Sequence, residues 1–189
     1  MKHVRLEPIL NGKNIIEILE RFRFSEEDEA LLISIYAAVR PLIRAEAWYE
    51  ETETERNCIV TLGRYVDELE DLYQSAGAIS EAYGLECIAM ELLNQCYERL
   101  ADEFQRSCGC RIASFAFYGD DGVFSPMREV LDNSGQNTVQ CSRAGMLKPK
   151  KSVVFRAGLA EAAKCGSSNI CESCKNRFCP NRKENQCAD

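Results

Sequence analysis

The sequence predicts an α+β protein, in which a twisted, mainly antiparallel sheet is flanked by helices. Segments with helical periodicity are interrupted by short β-branched and aromatic segments. The predicted strands form pairs that lie close in sequence, which favours antiparallel pairing. No glycine-rich phosphate loop or regular βαβ alternation indicates a doubly wound parallel fold. Hydrophobic residues make up 46% of the 189 residues, which is enough for a buried core.

The first forty residues predict two helices. Apolar residues at helical spacing predict a helix over 11–21. Ser25, followed three residues later by Asp28, resembles a capping box that opens a second helix. Pro41 ends or kinks that helix, because its ring does not fit a helix interior.

Two strands and another helix follow. The segments 43–50 and 58–62 resemble short strands on either side of an acidic turn at 50–57, which we expect to be exposed because it is so polar. Gly63 ends the second strand. An amphipathic pattern over 65–73 then predicts a helix.

The strongest pattern in the chain is a long helix over about 77–107, where apolar residues keep the helical period for many turns. The β-branched and aromatic segment 111–117 predicts a central strand. A short helix with proline in its first turn is predicted over 125–131. Two further strands, 138–142 and 152–158, are predicted on either side of a basic stretch.

Charge, hydropathy and histidine content exclude several functional classes. A net charge of −7 with a single tryptophan argues against nucleic-acid binding. The apolar runs fall well short of the ~20 residues that a membrane helix needs, and the first residues lack a signal-peptide pattern. We therefore expect a cytoplasmic protein without a membrane partner. His3, the only histidine, lies at a terminus that we expect to be mobile, which excludes histidine-dependent nucleophilic catalysis.

Cysteine is unusually frequent, with 11 residues. Six of them lie in the segments before the C-terminal end, where we expect small buried hydrophobic residues. These six are Cys58, Cys87, Cys96, Cys108, Cys110 and Cys141. The other five crowd towards the end of the chain. We therefore divide the chain into a domain, residues 1–160, and a Cys-rich tail, residues 161–189.

The tail carries a candidate metal site. Cys165, Cys171, Cys174 and Cys179 are four thiols close enough in sequence to complete a tetrahedral shell. Their spacing matches neither the usual zinc-finger pattern nor that of ferredoxins, so the metal stays open between zinc and an iron–sulfur cluster. A flexible tail with reactive thiols or redox disulfides is the competing interpretation.

Arg111 is a candidate ligand-binding residue at the entrance to an apolar strand. A long cationic side chain there either extends to solvent or binds an anion such as a carboxylate. The aromatic residues Phe115, Phe117 and Tyr118 serve either core packing or a flat apolar surface for an adenine ring. Gly119 permits close backbone approach.

Five segments together carry a resemblance to a known family. In chain order they are ILNGKNIIEILERFRFSEEDEAL, IVTLGRYVDEL, CRIASFAFYGDDGVF, MLKPKKSVVFRAGL and CESCKNRFCPNR. They resemble the reactivation, or S-adenosylmethionine-binding, domain of cobalamin-dependent methionine synthase. The resemblance is greater to the free-standing relatives of that domain, which have a Cys-rich C-terminal tail.

The resemblance implies a helmet-like α+β fold that binds S-adenosylmethionine. In the family, this cofactor methylates a corrinoid whose cobalt has become inactive and has been re-reduced by one electron. We find no corrinoid-binding segment in these 189 residues. The expected partner is therefore a separate corrinoid protein or cobalamin-dependent methyltransferase, with a flavodoxin-like or ferredoxin-like electron donor.

The resemblance also assigns site residues. Arg111 matches the arginine that holds the methionine carboxylate, Tyr118 matches the motif tyrosine beside Gly119, and Ser152 matches the serine of a Ser-Val strand. The family motif is Arg-x-x-x-Gly-Tyr, whereas here the tyrosine comes seven residues after the arginine and precedes the glycine. Either the loop is longer in this chain or the pocket is altered.

Three functions compete. The first is an S-adenosylmethionine-binding factor that supports reductive reactivation of a corrinoid protein. The second is a non-catalytic interaction module of the same fold, held together by a metal, which recognises a corrinoid or redox partner. The third is an α+β domain with a regulatory Cys-rich tail. Arg111 and the basic stretch 148–156 favour the first.

Overall fold

Seven strands form two antiparallel sheets in residues 1–161, the part of the chain that the computed structural model describes. The strands are β1 (Lys2–Arg5), β2 (Glu46–Tyr49), β3 (Glu55–Thr61), β4 (Cys110–Phe117), β5 (Gln140–Cys141), β6 (Leu147–Lys148) and β7 (Ser152–Glu161). The large sheet has the order β1-β2-β3-β7-β4, and all its neighbouring strands are antiparallel. Strands β5 and β6 form the small sheet. The predicted α+β class is confirmed.

The two central strands are buried on both faces. In β3, Cys58 belongs to the large core on one side of the sheet, and Ile59 belongs to a smaller core on the other side. In β7, Phe155 belongs to the large core and Val154 belongs to the smaller core. Runs of β-branched and aromatic residues form strands here because both pleated faces are covered.

Four helices cover the face of the large core. They are α1 (Gly12–Phe22), α2 (Glu29–Val39), α3 (Arg64–Ser75) and α4 (Ile79–Cys108). A Cβ atom on Gly84 would lie 2.6 Å from Cδ1 of Ile35, so this glycine lets α2 approach α4 closely. Among the residues described, no helix combines the length and apolar character needed to span a bilayer.

The opposite face is covered by a fifth helix, α5 (Ser125–Asn133), and by the small sheet. Proline in the first turn of α5 fits its predicted position. The buried side chains of this smaller core are Trp48, Ile59, Met127, Val130, Leu131, Val139 and Val154. Both faces of the large sheet therefore contribute to the core.

Most predicted elements are present. The helix predicted over 77–107 is α4, and the strand predicted over 111–117 is β4. The central position predicted for that strand was wrong, because β4 lies at the end of the strand order and pairs with β7 alone among the described strands. Gly109 separates them because its backbone is left-handed, with φ 68°, which ends the helix. Ser25 and Asp28 do form a capping box, but it opens a single 3₁₀ turn that leads into α2.

The expectation of a mobile N-terminus was wrong. Residues Lys2–Arg5 form the edge strand β1, which pairs with β2. The ring of His3 stacks on Trp48 with centroids 5.0 Å apart. Four residues with two exposed polar side chains give no strand pattern of their own. The strand is stabilised by pairing with a segment more than forty residues further along the chain.

Four strand boundaries also needed correction. The strand predicted over 43–50 is only Glu46–Tyr49, and the strand predicted over 152–158 continues to Glu161. The strand predicted over 58–62 is β3, which begins at Glu55, inside the segment predicted to be a turn. The strand predicted over 138–142 shrinks to β5, which pairs with β6 and not with β7. Strand β6 has two residues, too few for a period-two pattern.

Burial differed from expectation in two places. Arg56, in the turn expected to be exposed, is buried with 6% relative exposure. Cys58, Cys87 and Cys96 are buried as predicted, whereas three other cysteines are not. Cys108 is exposed, and Cys110 and Cys141 are half-buried.

Candidate functional site

An open groove runs along the outer edge of β4. Among the described strands, β4 pairs only with β7, so its other edge has no strand neighbour there. The groove has a volume of about 690 Å³, within the ordinary range for small-molecule sites. Its lining residues are Phe115, Ala116, Phe117, Tyr118, Asp120, Asp121 and Arg156. We call it the β4 groove.

Tyr118 and Arg156 form a polar cluster in the β4 groove. The Tyr118 hydroxyl donates to Oδ1 of Asn57 at 2.6 Å, and Nε and Nη2 of Arg156 donate to that hydroxyl at 3.3 and 3.2 Å. Nη1 of Arg156 lies 3.5 Å from Glu55. The Arg156 side chain is 48% exposed, so its guanidinium remains accessible to an anionic ligand.

The register between β4 and β7 creates this cluster. Arg156 lies opposite Ala116, and the backbone N–H of Tyr118 donates to the carbonyl of Val154. The aromatic ring at position 118 therefore lies beside the guanidinium of the neighbouring strand, with the Arg156 Cζ atom 5.8 Å from the ring centroid. An aromatic surface and a cation are presented side by side.

A tight turn closes one end of the β4 groove. Gly119 has φ +92°, and the N–H of Gly122 donates to its carbonyl at 3.0 Å. A Cβ atom on Gly119 would lie 3.2 Å from the Phe124 ring. The left-handed backbone therefore favours glycine, and the ring leaves little space for a side chain. Asp120 and Asp121 of this turn line the groove, and Oδ1 of Asp121 accepts a hydrogen bond from the N–H of Val123 at 2.9 Å.

Of the aromatic residues, Phe115 fills the core, with 5% relative exposure and a ring 5.5 Å from that of Phe155. Phe117 is half-buried and packs at the edge of the same cluster. Tyr118 is also half-buried, and it is the aromatic residue whose polar end contacts Arg156. Core packing, one of the two interpretations of these rings, holds fully for Phe115 and in part for the other two, since Phe117 packs against the large core and Tyr118 against the smaller core.

Arg111 does not line the β4 groove. It lies at the start of β4 opposite Ala160, is exposed, and donates from Nε to Oε1 of Gln105 at 3.4 Å. Tyr118 is seven residues further along, about 23 Å away at roughly 3.3 Å per strand residue. Tyr118 and the neighbouring Gly119 therefore lie at the β4 groove, whereas Arg111 lies far from both.

Ser152 lies inside the protein at the start of β7, outside the groove lining. Its hydroxyl donates to Oγ1 of Thr61 at 2.8 Å, and the two residues are partners in the ladder between β3 and β7. This bond joins two central strands. The geometry gives Ser152 a structural role.

Arg156 is the groove residue that the sequence analysis missed. A signal was present, since Arg156 is a long cation in an apolar strand, as Arg111 is. What the sequence could not reveal is that the strand register places Arg156, and not Arg111, beside Tyr118.

The predicted metal ligands Cys165, Cys171, Cys174 and Cys179 lie outside the described residues, so the metal site stays a prediction. Residues 1–161 contain no group of three or more side chains arranged to bind a metal ion. The proposed division at residue 160 likewise stays a prediction. Comparisons with protein-family models and with curated proteins give no significant match.

Proposed function

We propose that the protein binds S-adenosylmethionine in the β4 groove and thereby supports reductive reactivation, by methylation, of a separate corrinoid protein or cobalamin-dependent methyltransferase. The observation that carries the proposal is the arrangement of Arg156 and Tyr118 in a groove of suitable volume. The family resemblance supplies the ligand, and the groove supplies groups of matching chemistry.

Each part of the ligand has a matching group. The Arg156 guanidinium suits the methionine carboxylate, which it would bind in place of its 3.5 Å contact with Glu55. The Tyr118 ring offers a face for the adenine. Asp120 and Asp121 suit the ribose hydroxyls or the ammonium group. In this arrangement Arg156 takes the role that the resemblance assigns to Arg111.

The protein's part in the reaction is to bind and orient. S-Adenosylmethionine, when bound, supplies the methyl group. The residues of the β4 groove hold the ligand in one orientation at an open edge of the sheet, where a partner protein can approach. This task requires no general base, which is consistent with a chain that has a single histidine. A flavodoxin-like or ferredoxin-like protein would provide the electron.

One observation favours the second candidate, a non-catalytic interaction module. Arg111 and Tyr118 are at opposite ends of β4, so the family's motif does not assemble as a unit. Such a module would use the same open edge to recognise a corrinoid or redox partner without the ligand. A zinc ion or iron–sulfur cluster in the tail would then have a structural role.

The test is calorimetric titration of anaerobically prepared full-length protein with S-adenosylmethionine. Arg156→Met should weaken binding by roughly 1.5–3 kcal/mol, or about ten- to a hundredfold, because a charged hydrogen bond is lost. Arg111→Met should leave the affinity unchanged. Arg64→Met is the matched control, because Arg64 is a surface arginine whose ion pair with Glu68 is also 3.5 Å long. Absence of saturable binding to the wild type would contradict the proposal and favour the interaction module.

A further inference from the structure

The turn between α4 and β4 places two cysteines on either side of a glycine. Cys108 ends the helix, Gly109 has a left-handed backbone, and Cys110 begins the strand. Within residues 1–161, a Cβ atom on Gly109 would meet no other atom within 4 Å, so the described part of the chain leaves space beside this turn. The Cys108 thiol donates to the carbonyl of Phe104 at 3.2 Å, and the Cys110 thiol donates to the carbonyl of Cys108 at 3.5 Å. Both carry free thiols.

A buried arginine reaches this pair from β3. Nη2 of Arg56 lies 3.5 Å from the Cys108 sulfur. The guanidinium lies 4.5 Å from the ring centroid of Phe104 and 5.3 Å from that of Tyr49. Arg56 has 6% relative exposure, so its charge lies in an environment of low polarity.

Arg56 lacks a carboxylate partner among residues 1–161. Its Nε donates to the Thr52 carbonyl at 3.4 Å, and its Nη1 atom is buried without a hydrogen-bond partner in the described part of the chain. A buried cation without an anion is costly, and a thiolate on Cys108 would supply the missing negative charge. The side chain is therefore positioned to stabilise the reactive form of that thiol.

The electrostatic surroundings of Cys108 differ from those of the buried cysteines. Burial opposes its ionisation, but hydrogen bonds from the Cys110 side chain and backbone, together with the charge of Arg56, lower the pKa of Cys108 overall. The pKa of Cys110 is raised, chiefly by its hydrogen bond to Cys108, and Glu161 on β7 acts in the same direction. Burial raises the pKa of Cys96 to about 12 and that of Cys87 to about 11.

We propose that Cys108 and Cys110 form a thiol–disulfide exchange site for low-molecular-weight disulfides such as oxidised glutathione, with Arg56 as a positioning residue. The Cys108 thiolate attacks one sulfur of the small disulfide, forms a mixed disulfide and releases one thiolate. The Cys110 thiol then loses its proton and attacks the Cys108 sulfur, which releases the second small thiol. The protein loses two electrons and two protons, and the small disulfide gains both. This inference is independent of S-adenosylmethionine binding.

The proposed disulfide between Cys108 and Cys110 can be detected on a single tryptic peptide. Cleavage after Arg106 and Arg111 gives a short peptide, Ser107–Arg111, that contains both thiols and no other cysteine. Reduced full-length protein is equilibrated with mixtures of reduced and oxidised glutathione, quenched by alkylation, digested and analysed by mass spectrometry. We expect the peptide to lose two hydrogen atoms and to escape alkylation, in a fraction that rises with the share of oxidised glutathione.

Two results would overturn the proposal. One is a peptide that stays doubly alkylated at every glutathione ratio. The other is a disulfide that joins Cys108 or Cys110 to another part of the chain in place of the bond between them. The half-buried Cys141, which lies on a different tryptic peptide and near the carbonyl of Ser142, is the internal control for general thiol reactivity.

The role of Arg56 is tested by the rate of Cys108 alkylation as a function of pH. Below the pKa, each unit of pKa alters the thiolate fraction about tenfold, so Arg56→Gln should slow alkylation at neutral pH severalfold, and Arg56→Lys should restore part of the rate. The rate for Cys141 should not change. Equal Cys108 rates in the wild type and a folded Arg56→Gln variant would refute the role of Arg56. If that variant does not fold, Cys108 reacting no faster than Cys141 in the wild type would refute it.

Discussion

The buried ion pair between α1 and α4 provides the most stringent test of how these two helices pack together. Nη2 of Arg21 lies 2.8 Å from Oε2 of Glu91, and the two side chains are only 13% and 2% exposed. Nδ2 of Asn94 also donates to that carboxylate, at 3.4 Å. Replacing Glu91 by Met keeps a side chain of similar length but leaves the Arg21 charge enclosed without this partner.

The expected cost follows from that burial. Removal of one partner of a buried pair destabilises a protein by about 3–5 kcal/mol. Arg21 keeps some contact with water, so we expect Glu91→Met to lie near the lower end, at about 3 kcal/mol. In a chain of this size, that corresponds to a fall in Tm of about 6–12 °C. The double variant Arg21→Met/Glu91→Met should recover most of the loss, because it removes both charges.

Urea unfolding under reducing conditions provides the assay. The single tryptophan, Trp48, is buried and reports unfolding by fluorescence. Glu17→Met is the matched control, because its pair with Lys13 is 3.7 Å long and exposed, which predicts a change of less than about 1 kcal/mol. A loss of stability in Glu91→Met no larger than in Glu17→Met would refute the reasoning.

Two further predictions concern hydrogen bonds between side chains. Ser152→Ala should lower the free energy of unfolding by about 1 kcal/mol, because the hydrogen bond to Thr61 is lost. In titrations the same variant should leave the affinity for S-adenosylmethionine unchanged. A large loss of affinity would show that Ser152 belongs to the binding site. Glu103 accepts a hydrogen bond from Lys2, which chiefly lowers the pKa of Glu103, with the Tyr49 hydroxyl adding to the effect. Its ionised form therefore stabilises the fold above the usual carboxyl pKa of 4.5, and that contribution disappears as the pH falls through the lowered pKa. Unfolding measured against pH should show the wild type more stable than Glu103→Gln at pH 7, with the difference shrinking in acid; a constant difference would contradict this.

The elements predicted best from the sequence are those that depend on local pattern. Helix α4 has a regular apolar period over its whole length, and Gly109 supplies its stop signal within the sequence itself. Strand β4 follows directly, and its apolar and aromatic residues need no knowledge of the neighbouring strand to predict a strand.

The elements missed depend on contacts between distant segments. Strand β1 has little pattern of its own and is stabilised by pairing with β2. The burial of Arg56 was missed because the acidic residues around it indicated solvent, whereas its guanidinium packs on Phe104 and Tyr49. Its neighbour Cys108, expected to be buried, is exposed at the end of α4.

The candidate site was predicted in part. The aromatic stretch and Gly119 were identified from local sequence, and Tyr118 and Gly119 do lie at the β4 groove and its turn. The arginine beside Tyr118 depends on the register of two strands that are forty residues apart, which no local pattern encodes. The sequence therefore indicated that β4 carries the site, but it did not indicate that Arg156 of the neighbouring strand lies beside Tyr118.

The most direct test of the proposed function is the affinity of S-adenosylmethionine for the wild type, Arg156→Met and Arg111→Met, measured side by side by anaerobic calorimetry. The β4 groove predicts saturable binding to the wild type, a loss of about ten- to a hundredfold in Arg156→Met and no change in Arg111→Met. Loss of affinity in Arg111→Met alone would place the ligand at the opposite end of β4. No binding to the wild type would contradict the proposed function itself.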